Sequence, residues 1–412
     1  MALEENLVSE NDSFYCAGKV VIYDRTVGCH KKTGHGAQTF AEGVMHSCNM
    51  AFIELGQRLG ASTFFKYFKA FGMTQKTGIE LPGEAGGSPA LYHSEKTLRT
   101  VDVSLANSAF GQTFRVTPMQ IITAVSAVAN GGTLYKPQIV DEIIAADGSV
   151  RRADTEEAVR QVVTEETSQK MNLALEQVVS GEGGTGRNAY VKGYRVAGKT
   201  GTSQKMDKLV DGEATLRLVS FLGFAPANDP QIAVLIIVDE PQYGNVSGGA
   251  LAAPVVADVI GDVLPYMGVE PQYSEEELET LDVYTPDFSG LTLEEVQKRA
   301  ETDGLTVKIV GDGEKVTDQM PAAGVVVPKN VEMVVYMDAA KSTYSQPAPN
   351  LIGMTLRGIQ RVMDDTVFYI RPIGLTDYGS KILSVRQTPA PGETITAGDV
   401  ITIDFLDADT TD

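Results

Sequence analysis

The chain has 412 residues, 43% hydrophobic and 21% charged, a normal globular mixture with room for roughly two to four domains. Its 34 Lys+Arg against 54 Asp+Glu leave a formal net charge of −20, which removes the basic face that nucleic-acid binding requires. No run of about 18 apolar residues exists, so no segment reads as a membrane-spanning helix.

The N-terminal stretch MALEENLVSENDSFYC has neither a basic nor an apolar region and does not read as a signal peptide. Ala2, Leu3 and Leu7 look like the tail of a helix, and the chain is expected to be cytosolic or the soluble part of a longer exported one. Cys16 and Cys29 bracket the strand-like segment KVVIYDR, which suits a disulfide across a hairpin; two buried thiols are the alternative. Cys48 is left over. Zinc needs clustered ligands at fixed spacing, and three scattered cysteines with His30, His35, His46 and His93 do not supply it. No metal and no cofactor is therefore expected, and each histidine reads as a surface or satisfied core residue.

Helical spacing of Phe52, Leu55 and Leu59 marks FAEGVMHSCNMAFIELGQRLG. TPMQIITAVSAVANGG is a clearer helix: Thr117 can cap it, Pro118 suits its first turn, Ile121, Ile122, Val125 and Val128 form the expected buried stripe, and Gly131 ends it. Thr164 to Val179 reads as another helix. Three strands are expected at Tyr194–Ala197 running into the Lys-Thr-Gly-Thr, at Leu218–Phe224 and at Ile232–Val238, the last two joined by the turn-rich APANDP. An apolar helix at Leu251–Leu264 follows. A sheet with segregated helices is an α+β architecture.

EPQYSEEELETLD (270–282) is acidic and reads as a solvated linker, with a specific docking site as the less favoured alternative. An internal repeat comes after it. PDFSGLT (286–292) matches PNLIGMT (349–355), QMPAAG (319–324) matches QTPAPG (387–392), and both units end in alternating apolar residues. The expected organisation is a domain at 1–268, an acidic linker at 269–284, and two small α+β repeats at 285–340 and 346–409.

The chemistry-bearing candidates are Ser47-Cys48-Asn49 and, about 150 residues on, Lys199-Thr200-Gly201-Thr202. Gly201 lets another backbone approach the strand closely. The Thr202 N–H is placed to face a reacting carbonyl oxygen. Ser47 taken alone reads as a helix N-cap, and an isolated Lys-Thr-Gly as an ordinary exposed strand.

Together, in order, Ser-x-Asn and Lys-Thr-Gly resemble the second and third motifs of penicillin-binding proteins and serine β-lactamases. The surrounding segments GHGAQTFAEGVMHSCNMAFIELGQRLG, FKYFKAFGMTQKTGIELPGEA, NSAFGQTFRVTPMQIITAVSAVANGG and VAGKTGTSQK look like class B penicillin-binding proteins of the sporulation type. LVSFLGFAPANDPQIAVLIIVDEP looks like the paired strands after the third motif, and the C-terminal repeats are similar to PASTA modules.

The resemblance implies a D,D-transpeptidase that cross-links peptidoglycan stem peptides ending in D-Ala-D-Ala, is acylated by β-lactams, and works at the outer face of the bacterial membrane beside other cell-wall synthesis proteins. Ser47 would relay a proton, and Asn49 would bind the donor peptide or a catalytic Lys. Lys199 would add positive potential and hold Ser47, while the Thr200 and Thr202 hydroxyls would bind the donor carboxylate. The family's nucleophile lies in an upstream Ser-x-x-Lys, and no serine of this chain has a Lys three places on. The chain is thus expected to start just past its nucleophile, without anchor or pedestal, to be inactive alone, and to present an open groove and an exposed sheet edge. The competing expectations are a non-catalytic cell-wall or partner-binding module acting through the repeats, and a β-lactamase or β-lactam sensor; the trailing repeats and FGQTFRVTPMQ count against the latter.

Overall fold

The computed structural model describes every residue except 153–156, 206–207, 209–214, 243–245, 376–380 and 411–412, with the backbone alone described at Glu279. The chain divides into two units, Met1–Glu270 together with Thr410, and Pro271–Asp409.

The first unit is built around a three-stranded antiparallel sheet. Arg217–Ala225 and Ile232–Asp239 form a hairpin, as their apolar and β-branched content suggests. Ala197–Gln204 pairs with the other side of Arg217–Ala225 and is the last strand of the sheet among the described residues, with Lys199 opposite Leu222 and Gly201 opposite Ser220. The strand expected from Tyr194 into the Lys-Thr-Gly-Thr does run through that motif but starts later: VAGKTGT is strand from Ala197 onward, and Tyr194 makes only an isolated bridge to Val191.

Alternation along Arg217–Ala225 divides the core into two layers. Phe221 and Ala225 face helix Ala253–Tyr266, whose Val256, Ile260 and Leu264 are fully buried. That i, i+4, i+8 stripe is what an amphipathic helix on a sheet presents. Burying each such side chain is worth roughly 1.5–3 kcal/mol, and Ile260→Ala would forfeit about 2–5 kcal/mol once the cavity is counted. Leu222 and Phe224 face the opposite way, into a core shared with Met50, Ala51 and Ile53 of helix Asn49–Leu59 and with Ala174, Leu175 and Val178 of helix Glu165–Ser180.

Helix Pro118–Ala129 starts as its sequence indicates. Thr117 and Gln120 form a reciprocal capping box and Pro118 occupies the first turn. Its buried stripe differs: Gln120, Ala124, Ala127 and Ala129 are buried, whereas Ile121, Ile122, Val125 and Val128 are only half-buried. Small residues let the helix approach its neighbours closely, and the larger ones fill the flanks of that contact. The N-terminus is a run of turns and not the tail of a helix; Ala2 and Leu3 are in the core and Leu7 is exposed. KVVIYDR does form a hairpin, Lys19–Ile22 with Arg25–Gly28, and the nearby strands Ser13–Cys16 and Gly36–Thr39 pair with each other. Helices and N-terminus enclose an apolar cleft of about 190 Å³ lined by Leu3, Phe40, Val44, Phe52, Leu55 and Met171, among others.

The second unit is a tandem repeat. In the first copy, helix Leu293–Asp303 packs on a sheet in which Glu332–Met337 runs parallel to Thr306–Gly311 and antiparallel to Asp318–Met320. In the second, Val400–Asp407 is parallel to Tyr369–Gly374 and antiparallel to Ile382–Thr388, with helix Leu356–Met363. The matched Gln319 and Gln387 make the same bonds. Each accepts from a backbone N–H (Phe288, Leu351) and donates to two proline carbonyls (Pro286 and Pro321; Pro349 and Pro389). The acidic segment carries a short helix, Glu275–Glu279, capped by Ser274. Asp282–Tyr284, assigned to the linker by composition, instead pairs with Val326–Pro328 of the first repeat.

Candidate active site

Helix Phe40–Met45 is held at its start by a capping box between Thr39 and Glu42. It ends in a tight reversal: the Ser47 N–H bonds to the Val44 carbonyl (3.1 Å), and the Cys48 N–H to that of Gly43 (2.9 Å). Ser47 sits at φ +51°, a left-handed backbone that serine rarely adopts. The next helix, Asn49–Leu59, has Cys48 as its N-cap, so Ser47 is not the cap that its sequence alone suggests. Its half-buried hydroxyl is displayed between the two helices.

Lys199 meets it from the sheet. The Lys199 Nζ donates to Ser47 Oγ at 2.6 Å and lies 3.2 Å from both the carbonyl and the hydroxyl of Thr200. Residues 152 positions apart are thus joined by a charge-assisted hydrogen bond. Gly201 follows because a Cβ there would stand 2.6 Å from Ser220 Oγ on the paired strand. Thr202 is half-buried on the same strand.

Two expected roles are modified by the geometry. Thr200 is buried, and its hydroxyl is 3.1 Å from that of Thr185, so a carboxylate would share it with an internal partner. Asn49 donates through Nδ2 to the Gly28 carbonyl at 2.9 Å, which ties the Ser-x-Asn turn to the Lys19–Gly28 hairpin.

Thr185 escapes sequence reasoning. Its N–H and hydroxyl both reach the Met45 carbonyl, at 3.2 and 3.3 Å, while the hydroxyl also meets Thr200. It therefore couples the end of the Ser47-bearing turn to the Lys199 strand. It lies in GEGGTGRNA, a glycine-rich stretch with no periodicity and no charged partner to single it out.

The cysteines differ most from expectation. Cys16 and Cys29 are free thiols with no bond between them, and Cys48 is a third; all are buried. They are also not scattered in space. Their sulfurs and a ring nitrogen of His35 lie within 4.8 Å of one another, so the fold assembles the four-donor set that sequence spacing does not reveal. His46, stacked on His35, has its pKa lowered by burial and then by that neighbour, which leaves it neutral beside Ser47 at pH 7.

A lysine fixed against a strained serine is an arrangement that can hold a hydroxyl in one orientation and stabilise negative charge on oxygen. Residues 1–261 match the penicillin binding protein transpeptidase domain, and residues 283–339 match the PASTA domain. Stage V sporulation protein D of Bacillus subtilis is 42% identical over 345 residues, covering 82% of this chain and 52% of that protein. The peptidoglycan D,D-transpeptidase FtsI of Escherichia coli K12 is 31% identical over 228 residues, covering 55% of this chain and 35% of that one. The chain thus spans about half the length of the first relative and about a third of the second.

Among solved structures, penicillin-binding protein 3 of Mycobacterium tuberculosis complexed with aztreonam aligns with a TM-score of 0.59 at 28% identity, covering 66% of this chain and 61% of that one. Penicillin-binding protein 2X of Streptococcus thermophilus shares the fold across 98% of this chain and 59% of its own, with a TM-score of 0.56 at 20% identity. No helix among the described residues is long and apolar enough to cross a membrane. The chain belongs to the penicillin-binding protein transpeptidase family and carries a PASTA domain after its transpeptidase domain.

Proposed function

We propose that the first unit is the donor-binding part of a peptidoglycan D,D-transpeptidase acting outside the cytoplasm. The observation that carries the reading is the 2.6 Å bond between Lys199 Nζ and Ser47 Oγ, which joins the two family motifs in one site. In that reaction a serine hydroxyl attacks the penultimate D-Ala carbonyl, the terminal D-Ala leaves with a proton, and an amine of a neighbouring stem peptide takes the acyl group. Ser47 would pass the proton, and Lys199 would stabilise its oxygen and attract the donor carboxylate. The strand Ala197–Gln204, with the small Gly201 beside Thr202, is the element against which an extended D-Ala-D-Ala peptide would lie.

The attacking serine is not among these 412 residues, since none of their serines is followed by Lys at the third position. The chain on its own is therefore read as a binding wall without covalent chemistry. Segment 346–409 is read as a second PASTA repeat, on the strength of its shared strand order and glutamine bonds. Fluorescent penicillin tests the reading: the purified chain should remain unlabelled, and the same chain extended upstream through a Ser-x-x-Lys segment should be labelled. Labelling of the 412-residue chain would refute the account of its chemistry, and an unlabelled extended chain would refute the transpeptidase reading.

A further inference from the structure

Positive charge is scarce in this chain, yet it gathers in one place. Between Asp12 and Glu42 the sequence holds Lys19, Arg25, Lys31 and Lys32 against a single acid, Asp24. All four cationic residues are exposed. Arg25 and Asp24 stand 3.9 Å apart in open solvent, which leaves their attraction weak. Lys19, Lys31 and Lys32 have no acidic partner among the described residues, in a chain that carries 54 acids. The fold draws these lysines together. A Cβ on Gly18 would stand 2.1 Å from the Lys32 carbonyl oxygen, so the Lys31–Gly34 turn lies directly against the residue before Lys19.

Aromatic side chains stand beside the charge. The hairpin of Lys19–Ile22 and Arg25–Gly28 turns through Tyr23 and Asp24. Tyr23 sits at φ +57° and is 88% exposed. A two-residue hairpin turn favours Gly, Asn or Asp at such an angle, because a bulky side chain there is strained. Tyr23 gains no burial in return, so its strained position points to a use outside the fold. Val21 is 66% exposed while Ile22 is buried, and Tyr15, on the preceding strand, is 71% exposed. At its base the hairpin touches the polar wall: the Gly28 carbonyl, opposite Lys19, accepts from Asn49. The tip lies roughly 13 Å beyond, at about 3.3 Å per residue.

We propose that this hairpin and the Lys31–Lys32 turn form a binding surface for the uncross-linked peptidoglycan strand whose stem peptide occupies the polar wall. The tyrosine rings would stack on apolar sugar faces, and the lysines would meet stem-peptide carboxylates. The inference rests on the transpeptidase reading and extends it from the scissile peptide to the polymer that bears it. Composition favours this occupant. Lysine is depleted at the cores of protein interfaces. A membrane-inserting face presents Trp, Phe or Leu, and the exposed aliphatic residue on this strand is Val21. A hydrated, carboxylate-bearing sugar polymer suits lysines left in solvent beside exposed tyrosines.

The test measures binding of the full chain to soluble, uncross-linked glycan strands that carry pentapeptide stems. Binding should weaken as salt rises. The double variant Lys31→Glu, Lys32→Glu should bind at least tenfold more weakly, and strands stripped of their stems should lose a similar factor against wild type. Tyr23→Asn should weaken binding at least threefold while keeping or raising the melting temperature, because Asn tolerates the left-handed turn; a merely structural tyrosine would not separate the two readouts. Arg151→Glu with Arg152→Glu, an equal charge change on the exposed Val150–Arg152 strand, should leave binding unchanged. Hairpin variants that bind strands as wild type does overturn the proposal. So does a loss confined to phosphatidylglycerol vesicles or polyglutamate. Fluorescent penicillin, which carries no strand, keeps the two readings apart: in the upstream-extended chain the lysine double variant should be labelled like wild type. Absent labelling of that extended wild type counts against the transpeptidase reading, whereas unchanged strand binding with intact labelling counts against the hairpin alone.

Discussion

Lys199 Nζ and Ser47 Oγ are 2.6 Å apart although 152 residues separate them in the chain. The bond exists because two local features converge: a reversal that throws Ser47 to φ +51°, and a strand whose register places Lys199 opposite Leu222. Neither feature alone makes a site. A strained serine beside a fixed cation is a group whose hydroxyl is held in one orientation.

In a chain extended upstream through a Ser-x-x-Lys segment, Lys199→Ala and Ser47→Ala should each slow acylation by fluorescent penicillin by about 10²–10³-fold, the usual cost of losing one preorganised electrostatic contact. The double variant should lose little more than either single one, because the residues act as a unit. Equal, additive and small losses would mean that the bond is architectural.

Both motif positions were legible because each is contiguous: SCN and KTGT read as short strings in a fixed order. The paired strands and the two repeats were legible for the same reason, since alternation and repetition are local signals. The donor tetrad was not. Its spacings are long and irregular, and its members sit on two strand ends, a loop and a helix cap, so only the completed fold brings them together. Thr185 was hidden by its glycine-rich surroundings. The stripe of helix Pro118–Ala129 is not legible from apolarity, because close packing selects the small Ala124 and Ala127 for burial over the larger Ile121 and Val125.

Thr185→Val should destabilise the first unit by about 1–2 kcal/mol, because it removes a buried hydroxyl and leaves Thr200 without that partner. Thr185→Ser, which keeps the hydroxyl, should recover most of the loss. Urea unfolding measures both, and a Val variant as stable as wild type would show that the Met45–Thr200 bridge carries no stability.

Glu240 gives the pH dependence. Its carboxylate accepts from Lys205 Nζ at 2.7 Å and Lys208 Nζ at 2.6 Å, and these bonds, Lys205 first, lower its pKa to about 2 from 4.5. A carboxylate depressed in the folded state stabilises fully above its unfolded pKa and loses that contribution as pH falls toward the folded one. The melting temperature of the wild type should therefore drop more steeply between pH 4.5 and 2 than that of Glu240→Gln. Parallel acid limbs in the two proteins would rule the linkage out.

The repeats make a prediction in duplicate. Gln319→Leu removes one acceptor and two donor bonds from buried backbone, leaving the Phe288 N–H and the Pro286 and Pro321 carbonyls without the glutamine. Unsatisfied buried groups cost about 1–3 kcal/mol each, so with three of them the first repeat should lose roughly 3–9 kcal/mol. Gln387→Leu should do the same to the second repeat through Leu351, Pro349 and Pro389. A chain of several units does not unfold in one step, so amide hydrogen exchange is the suitable measurement. Protection should fall at Phe288 in the first variant and at Leu351 in the second. If one glutamine mattered and the other did not, the equivalence of the two copies would be a likeness of topology without a shared energetic device.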